Sequence, residues 1–241
     1  MARFYVPDIA TTLTLPEEES KHCVRVLRMA EGQEIEVVDG RGTLYRCQIA
    51  LAHPKRCQVH IVATEHQPPH WLHKIVLCVA PTKLMERMED MADRITEMGI
   101  DRLVPVLCQN SERRQLKTAR LAKIMVSAMK QSLKATLPQL DELTPLQQVL
   151  SEPFSGNRFI AYCDPALPRS ERVLLAQAYE PGRDTMIVIG PEGDFSPDEV
   201  QAALAAGFKP VSLGDSRLRT ETAGMMAVAL CHSLDQATKN K

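Results

Sequence analysis

Apolar and polar residues change rhythm once along the chain, near residue 70. Before that point the apolar runs are short and alternate with period two. Over residues 33–51, QEIEVVDGRGTLYRCQIAL, the alternation runs through Ile35 and Val37, then Leu44, on either side of Asp39-Gly40-Arg41-Gly42. That is a hairpin signal, because a Gly-rich turn flanked by alternating residues lets two strands pair. Residues 56–66, RCQVHIVATEH, alternate again through Cys57, Val59 and Ile61. With one helix expected near residues 16–29, this half predicts a small β-barrel-like domain.

Residues 66–74, HQPPHWLHK, hold two prolines and no periodicity, which predicts a linker. After it, apolar runs alternate with longer segments of helical spacing. Residues 74–80 (KIVLCVA) predict a buried strand. In residues 83–99, Leu84, Met88, Met91, Ile95 and Met98 recur at helical spacing until Gly99 stops the pattern. A strand over 101–108 comes next, then a helix over 118–133 with Leu121, Ile124, Met125, Ala128 and Met129 inward. Strands are predicted at 157–163, 184–190 and 209–214, the first two each followed by a helix, and a last helix at 221–237. Alternating strands and helices predict a parallel α/β sheet covered on both faces. The expected domains are therefore 1–69 and 73–241, with no internal repeat and no low-complexity segment.

Composition narrows the class. The formal net charge of the 241 residues is −1, so any nucleic-acid partner needs local basic patches rather than a global field. Seven cysteines are scattered without a Cys-x-x-Cys pair and mostly sit in apolar runs, which argues for small buried hydrophobes over a disulfide or zinc framework. The opening residues carry no signal-peptide pattern, and no apolar run approaches the ~20 residues of a membrane span. A soluble protein of a reducing compartment, the cytoplasm, is expected, with no membrane contact. Five of the seven histidines fall between His53 and His73, but they lie on an expected strand and a proline linker, where the spacing of His66 and His70 makes no helical pair, and they have no cysteine partner, so no metal site is expected. Arg113, Arg114, Lys117, Arg120 and Lys123 cluster in residues 111–123, with Lys130 and Lys134 further on, and read either as a solvated helix face or as a phosphate-contacting patch. Arg3, Lys21, Arg25 and Arg28 offer a second such patch in the first domain.

Two segments carry the chemistry. In VIGPEGDFSPDEV (188–200) an apolar strand ends in Gly190-Pro191-Glu192-Gly193, and Ser196 with Glu199 makes a capping box opened by Pro197. A tight strand-to-helix turn explains the glycines and proline by itself. In LGDSRLRTETAG (213–224) a second strand end carries Arg217, Arg219, Thr220, Glu221 and Thr222 around Leu218. Ligands of open α/β sheets gather at strand carboxyl ends, so two such loops suggest one site. Neither loop has a Gly-x-x-x-x-Gly-Lys or Gly-x-Gly-x-x-Gly pattern, and Glu192 with Asp194 disfavours a polyphosphate. A nucleoside-like ligand bearing positive charge suits the loop better, and S-adenosylmethionine has that chemistry.

These two segments, with SAMKQSLKATLPQL and the opening RFYVPDI, HCVRVLR and DGRGTLY, resemble the SPOUT-class methyltransferases that modify N3 of a uridine in 16S ribosomal RNA. The resemblance runs over essentially the whole chain. It implies a PUA-like β-barrel that binds RNA (1–69), a SPOUT α/β domain with a deep trefoil knot (73–241) and a homodimer. S-adenosylmethionine is then expected on Gly190, Pro191, Glu192 and Gly193, on Leu213, Gly214, Leu218, Thr220, Thr222 and Ala223, and at Asp164 in the weaker match Cys163-Asp164-Pro165. Arg219 and Arg217 are the arginines expected to stabilise charge on the uracil ring, Arg219 with the stronger motif match. Glu221 either takes the N3 proton, orients the arginine or caps the last helix. Arg3, Arg25, Arg28, Arg113 and Arg114 are the expected RNA contacts, with 16S ribosomal RNA of the small subunit as the partner. Two departures stand out: the family usually has glycine where this chain has Asp194, and proline with an apolar residue near Asp215 and Ser216. Competing readings are a SPOUT enzyme acting on another RNA position, a non-catalytic RNA-binding assembly factor, and a phosphate-binding kinase or NTPase, which the acidic loop disfavours.

Overall fold

In the computed structural model, which describes residues 2–162, 168 and 171–239, the turn at Asp39 closes as its residue types require. The Asp39 carboxylate accepts hydrogen bonds from the backbone N–H groups of Arg41 (2.8 Å) and Thr43 (3.1 Å). Gly40 and Gly42 take φ values of 77° and 95°, which glycine reaches without a Cβ penalty. The turn joins β2 (Glu34–Val38) to β3 (Thr43–Leu51). A strand β1 (Arg3–Tyr5) pairs parallel to β2, and β4 (Gln58–His66) pairs antiparallel to β3, giving the order β1-β2-β3-β4. The segment 13–15 then runs along the start of β4, with Leu15 donating to the Cys57 carbonyl (2.8 Å) and Val59 to the Leu13 carbonyl (3.0 Å), so the sheet curls on itself. Phe4, Ile35, Val37, Cys47, Ile49, Cys57 and Val59 fill the inside; Ile35, Val37, Cys57 and Val59 are positions of the predicted alternation, whereas Leu44 packs with Val38 in a separate cluster.

The helix expected over 16–29 begins after the one-turn helix α1 (Ile9–Thr12) as α2 (Glu17–Lys21), whose three opening glutamates suit the positive end of the helix dipole. It continues as a π-helical turn, His22–Val26, and ends where Arg28 takes a φ of 54°. The wider turn re-aims the side chains at its end, so that Arg25, Val26, Leu27 and Arg28 are all exposed. Residues 126–137 belong to this first compact unit, alongside the residues up to His70. There Met129 and Ala135 pack on Val38 and Leu44, and the Lys130 ammonium pairs with Glu19 at 2.6 Å.

The second unit comprises Trp71–Met125 and the described residues from 138 onward. Its strands are β5 (Ile75–Val79), β6 (Arg102–Leu107), β7 (Gln139–Leu140), β8 (Thr144–Pro145), β9 (Asn157–Ala161), β10 (Thr185–Ile189) and β11 (Lys209–Val211). They pair in the order β11-β9-β10-β5-β6-β7, with β8 also on β6, and every pairing is parallel. All residues of β5 and β10 are buried, which is why both read as continuous apolar runs rather than alternations.

Helices α3 (Met85–Met98), α4 (Thr118–Gln131), α5 (Leu146–Leu150), α6 (Leu175–Ala178), α7 (Pro197–Ala205) and α8 (Thr220–Lys239) complete the chain. The methionine stripe is core at Met88, Met91 and Ile95, fully buried on α3, while Met98 is half-buried and Leu84, just before the helix begins, is exposed. That helix stops at Gly99, whose φ is 112° and whose missing Cβ leaves room for the Trp71 ring. The Trp71 indole donates to Asp101 at 3.0 Å, fastening the end of the proline segment to the sheet. No helix is long and apolar enough to cross a membrane, among the described residues.

Candidate functional site

A parallel sheet sends all the loops after its strands to one edge, and here the loops after β10 and β11 meet there. Strand β10 runs straight into Gly190, where a Cβ would lie 2.9 Å from the Phe195 ring, so only glycine leaves the ring its place. The chain then turns, with the Asp194 N–H donating to the Pro191 carbonyl (2.9 Å). Asp194 itself takes a φ of 62°, a left-handed conformation in which glycine is unstrained and aspartate is one of the tolerated residues. Its carboxylate accepts from the Phe195 N–H at 2.8 Å. The predicted capping box forms at once: Glu199 N–H donates to the Ser196 hydroxyl (3.3 Å), and Ser196 N–H donates to the Glu199 carboxylate (2.9 Å).

The second loop leaves β11 through Ser212, whose hydroxyl bonds both the carbonyl and the N–H of Gly214 (3.0 and 3.2 Å). It enters α8 at Thr220, which is buried and donates its hydroxyl to the Gly190 carbonyl at 3.2 Å. One side chain therefore joins the two loops. Between them lies a cavity of about 610 Å³.

Ile189, Val211, Leu213 and Leu218 give this cavity an apolar surface. Three carboxylates (Glu192, Asp194 and Asp215) and three guanidinium groups (Arg172, Arg217 and Arg219) also line it. Such a site takes a flat apolar group together with a zwitterionic one, and the arginines balance the acidity that the first loop alone suggests. Glu192 has a further partner, since its carboxylate accepts from the Lys83 N–H (3.0 Å) in the loop after β5.

Of the residues singled out from sequence, Gly190, Pro191 and Glu192 line the cavity, as do Leu213, Gly214, Leu218, Thr220 and Ala223, and both Arg217 and Arg219. Gly193 and Thr222 do not. At Gly193 a Cβ would sit 3.1 Å from that of Asn110, facing the loop after β6. Glu221 also lies off the cavity: it is buried and faces Arg87 on α3, with 3.8 Å between Oε1 and Nε. Asp164, with its neighbours Cys163 and Pro165, is outside the described residues. Arg172 is a charged lining residue that no motif announced. It lies outside both motifs, between β9 and α6, and only the chain path brings it to the cavity that Arg217 and Arg219 line.

The expected RNA-contacting arginines divide. Arg25 and Arg28 are exposed. Arg3 is 6% exposed at its side chain, bound to Glu36 at 2.8 Å and to Gln67 at 3.3 Å, which takes it off that patch. Arg113 is likewise engaged, donating to the carbonyls of Thr82 (3.0 Å) and Lys83 (2.5 Å), because its guanidinium braces the loop after β5. Arg114 is exposed with a long bond to the Gln109 carbonyl (3.5 Å). In the basic run, Arg120 pairs with Glu89 at 2.7 Å.

The site has recognisable relatives. Residues 69–232 match the family model described as an RNA methyltransferase domain, and residues 15–62 match an RNA methyltransferase PUA domain. The chain is 29% identical over 238 residues to ribosomal RNA small subunit methyltransferase E of Mycobacterium tuberculosis, covering 93% of this chain and 88% of that one. Among solved structures it is similar to a probable rRNA-methyltransferase from Porphyromonas gingivalis, with 44% identity, a TM-score of 0.93, and 99% and 100% of the two chains covered. It is also similar to ribosomal RNA small subunit methyltransferase E from Neisseria gonorrhoeae bound to S-adenosyl methionine, with 27% identity, a TM-score of 0.85, and 97% and 98% covered.

Proposed function

The chain belongs to the RNA methyltransferase family, and from that footing we propose that it methylates N3 of one uridine in 16S ribosomal RNA with S-adenosylmethionine as donor. The observation that carries this reading is the single cavity made by the loops after β10 and β11, with mixed charge and an apolar surface. Its residues fit the donor. Ile189, Leu213 and Leu218 suit the adenine, Glu192 and Asp215 suit the cationic groups, and an arginine suits the carboxylate, while the Asp194 carboxylate is held on the Phe195 N–H. When bound, S-adenosylmethionine supplies an electrophilic methyl group on its sulfonium. The relatives support the same reading, since they are named for small-subunit ribosomal RNA and one is bound to S-adenosyl methionine.

N3 of uracil lies on the pairing edge, so the base must be unpaired to enter a cavity of this kind. Its N3 proton must leave for solvent water, and the ring then carries negative charge until N3 bonds the methyl group. Arg219, with Arg217 two residues before it, is the group that stabilises that charge at the cavity wall. Glu221, held on Arg87, orients the start of α8 rather than accepting the proton. Most of the acceleration comes from holding the reacting groups in attack geometry.

The first unit supplies RNA backbone contacts through Arg25 and Arg28, in keeping with its match to a PUA domain. We place the enzyme in the cytoplasm, where ribosomal RNA is modified, as a homodimer whose second domain is knotted; the exposed side chains of Leu84 and Met226 in that domain leave apolar surface for a partner. The test is direct. Purified chain, S-adenosylmethionine and small ribosomal subunits from a strain lacking the modification are combined, and the methylated nucleotide is mapped. One new N3-methyluridine in 16S RNA is expected. A methyl group on ribose or another base overturns the N3 assignment, and no transfer to any RNA overturns the activity.

A further inference from the structure

The loop after β6 touches no part of the cavity, yet it holds the loop that does. Asn110 donates both of its amide hydrogen bonds across this gap, to the carbonyls of Gly193 (3.2 Å) and Asp194 (3.0 Å). The preceding residue adds a third link, with Gln109 N–H donating to the Glu199 carboxylate at 2.7 Å. That carboxylate closes the capping box with its other oxygen. Gly193 presses its hydrogen against the Asn110 Cβ, so the approach is close as well as polar.

These bonds fall on the residue whose backbone is strained. Asp194 sits at a φ of 62°, a conformation that costs an L-residue on the order of 1 kcal/mol unless its surroundings impose it. Two successive carbonyls pinned by one primary amide impose it, because relaxing φ at residue 194 would rotate at least one of them away. Where residue 194 points decides what its neighbours Glu192 and Phe195 present to the cavity and to Gly190.

We infer that Asn110 is a positioning residue for the cofactor loop, holding Asp194 in the left-handed conformation that shapes the donor-binding wall. The inference rests on the methyltransferase reading and adds to it a residue outside the cavity. The amide is specific to the task. A carboxylate at 110 would set acceptors against two carbonyls and add negative charge beside Asp194 and Glu192.

Isothermal calorimetry with S-adenosylmethionine, steady-state kinetics and thermal unfolding of the ligand-free protein test this on four chains: wild type, Asn110→Ala, Asn110→Asp, and Asn110→Ala combined with Asp194→Gly. Losing two neutral hydrogen bonds predicts donor binding weaker by about tenfold in Asn110→Ala, and weaker still in Asn110→Asp. The KM for RNA and kcat at saturating donor stay near wild type. Asp194→Gly restores most of the lost affinity, because glycine takes the left-handed conformation without a clamp. Unchanged donor affinity in Asn110→Asp overturns the inference. So does a parallel loss of affinity and thermal midpoint that Asp194→Gly does not restore, which marks Asn110 as merely structural. A wild-type chain that binds no S-adenosylmethionine instead removes the methyltransferase reading itself, and the inference with it.

Discussion

The Thr220 hydroxyl donates to the Gly190 carbonyl at 3.2 Å, and this one bond ties the first turn of α8 to the end of β10. Both residues line the cavity, so the bond fixes the separation of its two walls. Thr220→Val keeps the shape and removes the donor. A neutral hydrogen bond contributes about 0.5–1.5 kcal/mol net, so donor affinity should fall by roughly two- to tenfold, and Thr220→Ser should retain it. Calorimetry showing Thr220→Val as tight as wild type would mean the walls are held apart by packing alone.

Glu221 and Arg219 are neighbours but one in sequence and face different partners. Glu221 meets Arg87, whereas Arg219 lines the cavity. Glu221→Gln should therefore keep methylation within about fivefold, far from the 10²–10⁴ that loss of a general base costs. Arg219→Ala should lose about 10²–10³ in kcat, the scale of a removed charge-stabilising donor, with little change in thermal midpoint because the side chain is exposed. A hundredfold loss in Glu221→Gln would return that carboxylate to the chemistry.

The two loops were legible because they break the pattern around them: glycine and proline end an apolar run, and paired arginines interrupt the approach to a helix. The hairpin at Asp39 and the methionine stripe of α3 were legible for the same reason, since local residue types determine both. Contacts that the chain path assembles stayed hidden. Residues 126–137 have ordinary helical spacing, and nothing in that spacing says that Met129 packs on Val38 and Leu44. Arg172 and Asn110 each lie outside any motif, one reaching the cavity and the other its supporting loop. Arg3 and Arg113 read as free cations, because a one-dimensional pattern does not show Glu36 or the Thr82 carbonyl waiting for them. Asp194 read as an added charge, but its φ of 62° makes it first a matter of backbone conformation.

Gly190 has no room for a methyl group. A Cβ there would lie 2.9 Å from one Phe195 ring carbon and 3.1 Å from two others, and both the ring and the backbone are packed. Gly190→Ala should cost about 1–3 kcal/mol, as overpacking does, read as a lower urea midpoint at unchanged m-value. Adding Phe195→Leu should recover part of that loss, giving a favourable coupling between the two changes. A cost below about 0.5 kcal/mol for the single change, typical of an unconstrained surface site, would show that the ring moves aside freely.

Three buried thiols set a pH response. Burial pushes Cys47 from the ordinary 9.0 up to about 11, and Cys108 and Cys231 up to about 12. Well below pH 9 these thiols are protonated whether the chain is folded or not, so their contribution is constant. Above it the unfolded chain loses protons that the folded chain keeps, and stability falls as pH rises through the window from 9 to about 12. The thermal midpoint should drop over that range more steeply in wild type than in the triple Cys47→Ala, Cys108→Ala, Cys231→Ala chain. At pH 8 a thiol reagent should modify these cysteines only as fast as the protein opens. Equal slopes in the two chains would assign the alkaline loss to other groups.

Arg25 and Arg28 stand exposed around a π-helical turn, and Arg3 lies buried on Glu36, so the three make a controlled set. Each phosphate contact contributes about 0.7–0.9 to the slope of log affinity against log salt concentration. Replacing Arg25 and Arg28 together with alanine should therefore lower the slope for 16S RNA fragments by about 1.4–1.8, and weaken binding with little regard to sequence. Arg3→Ala should leave the slope alone and lower the thermal midpoint, because it strands the Glu36 carboxylate beside the barrel core. Salt titrations in which Arg3→Ala flattens the slope and the double variant does not would place the RNA on the other face of this unit.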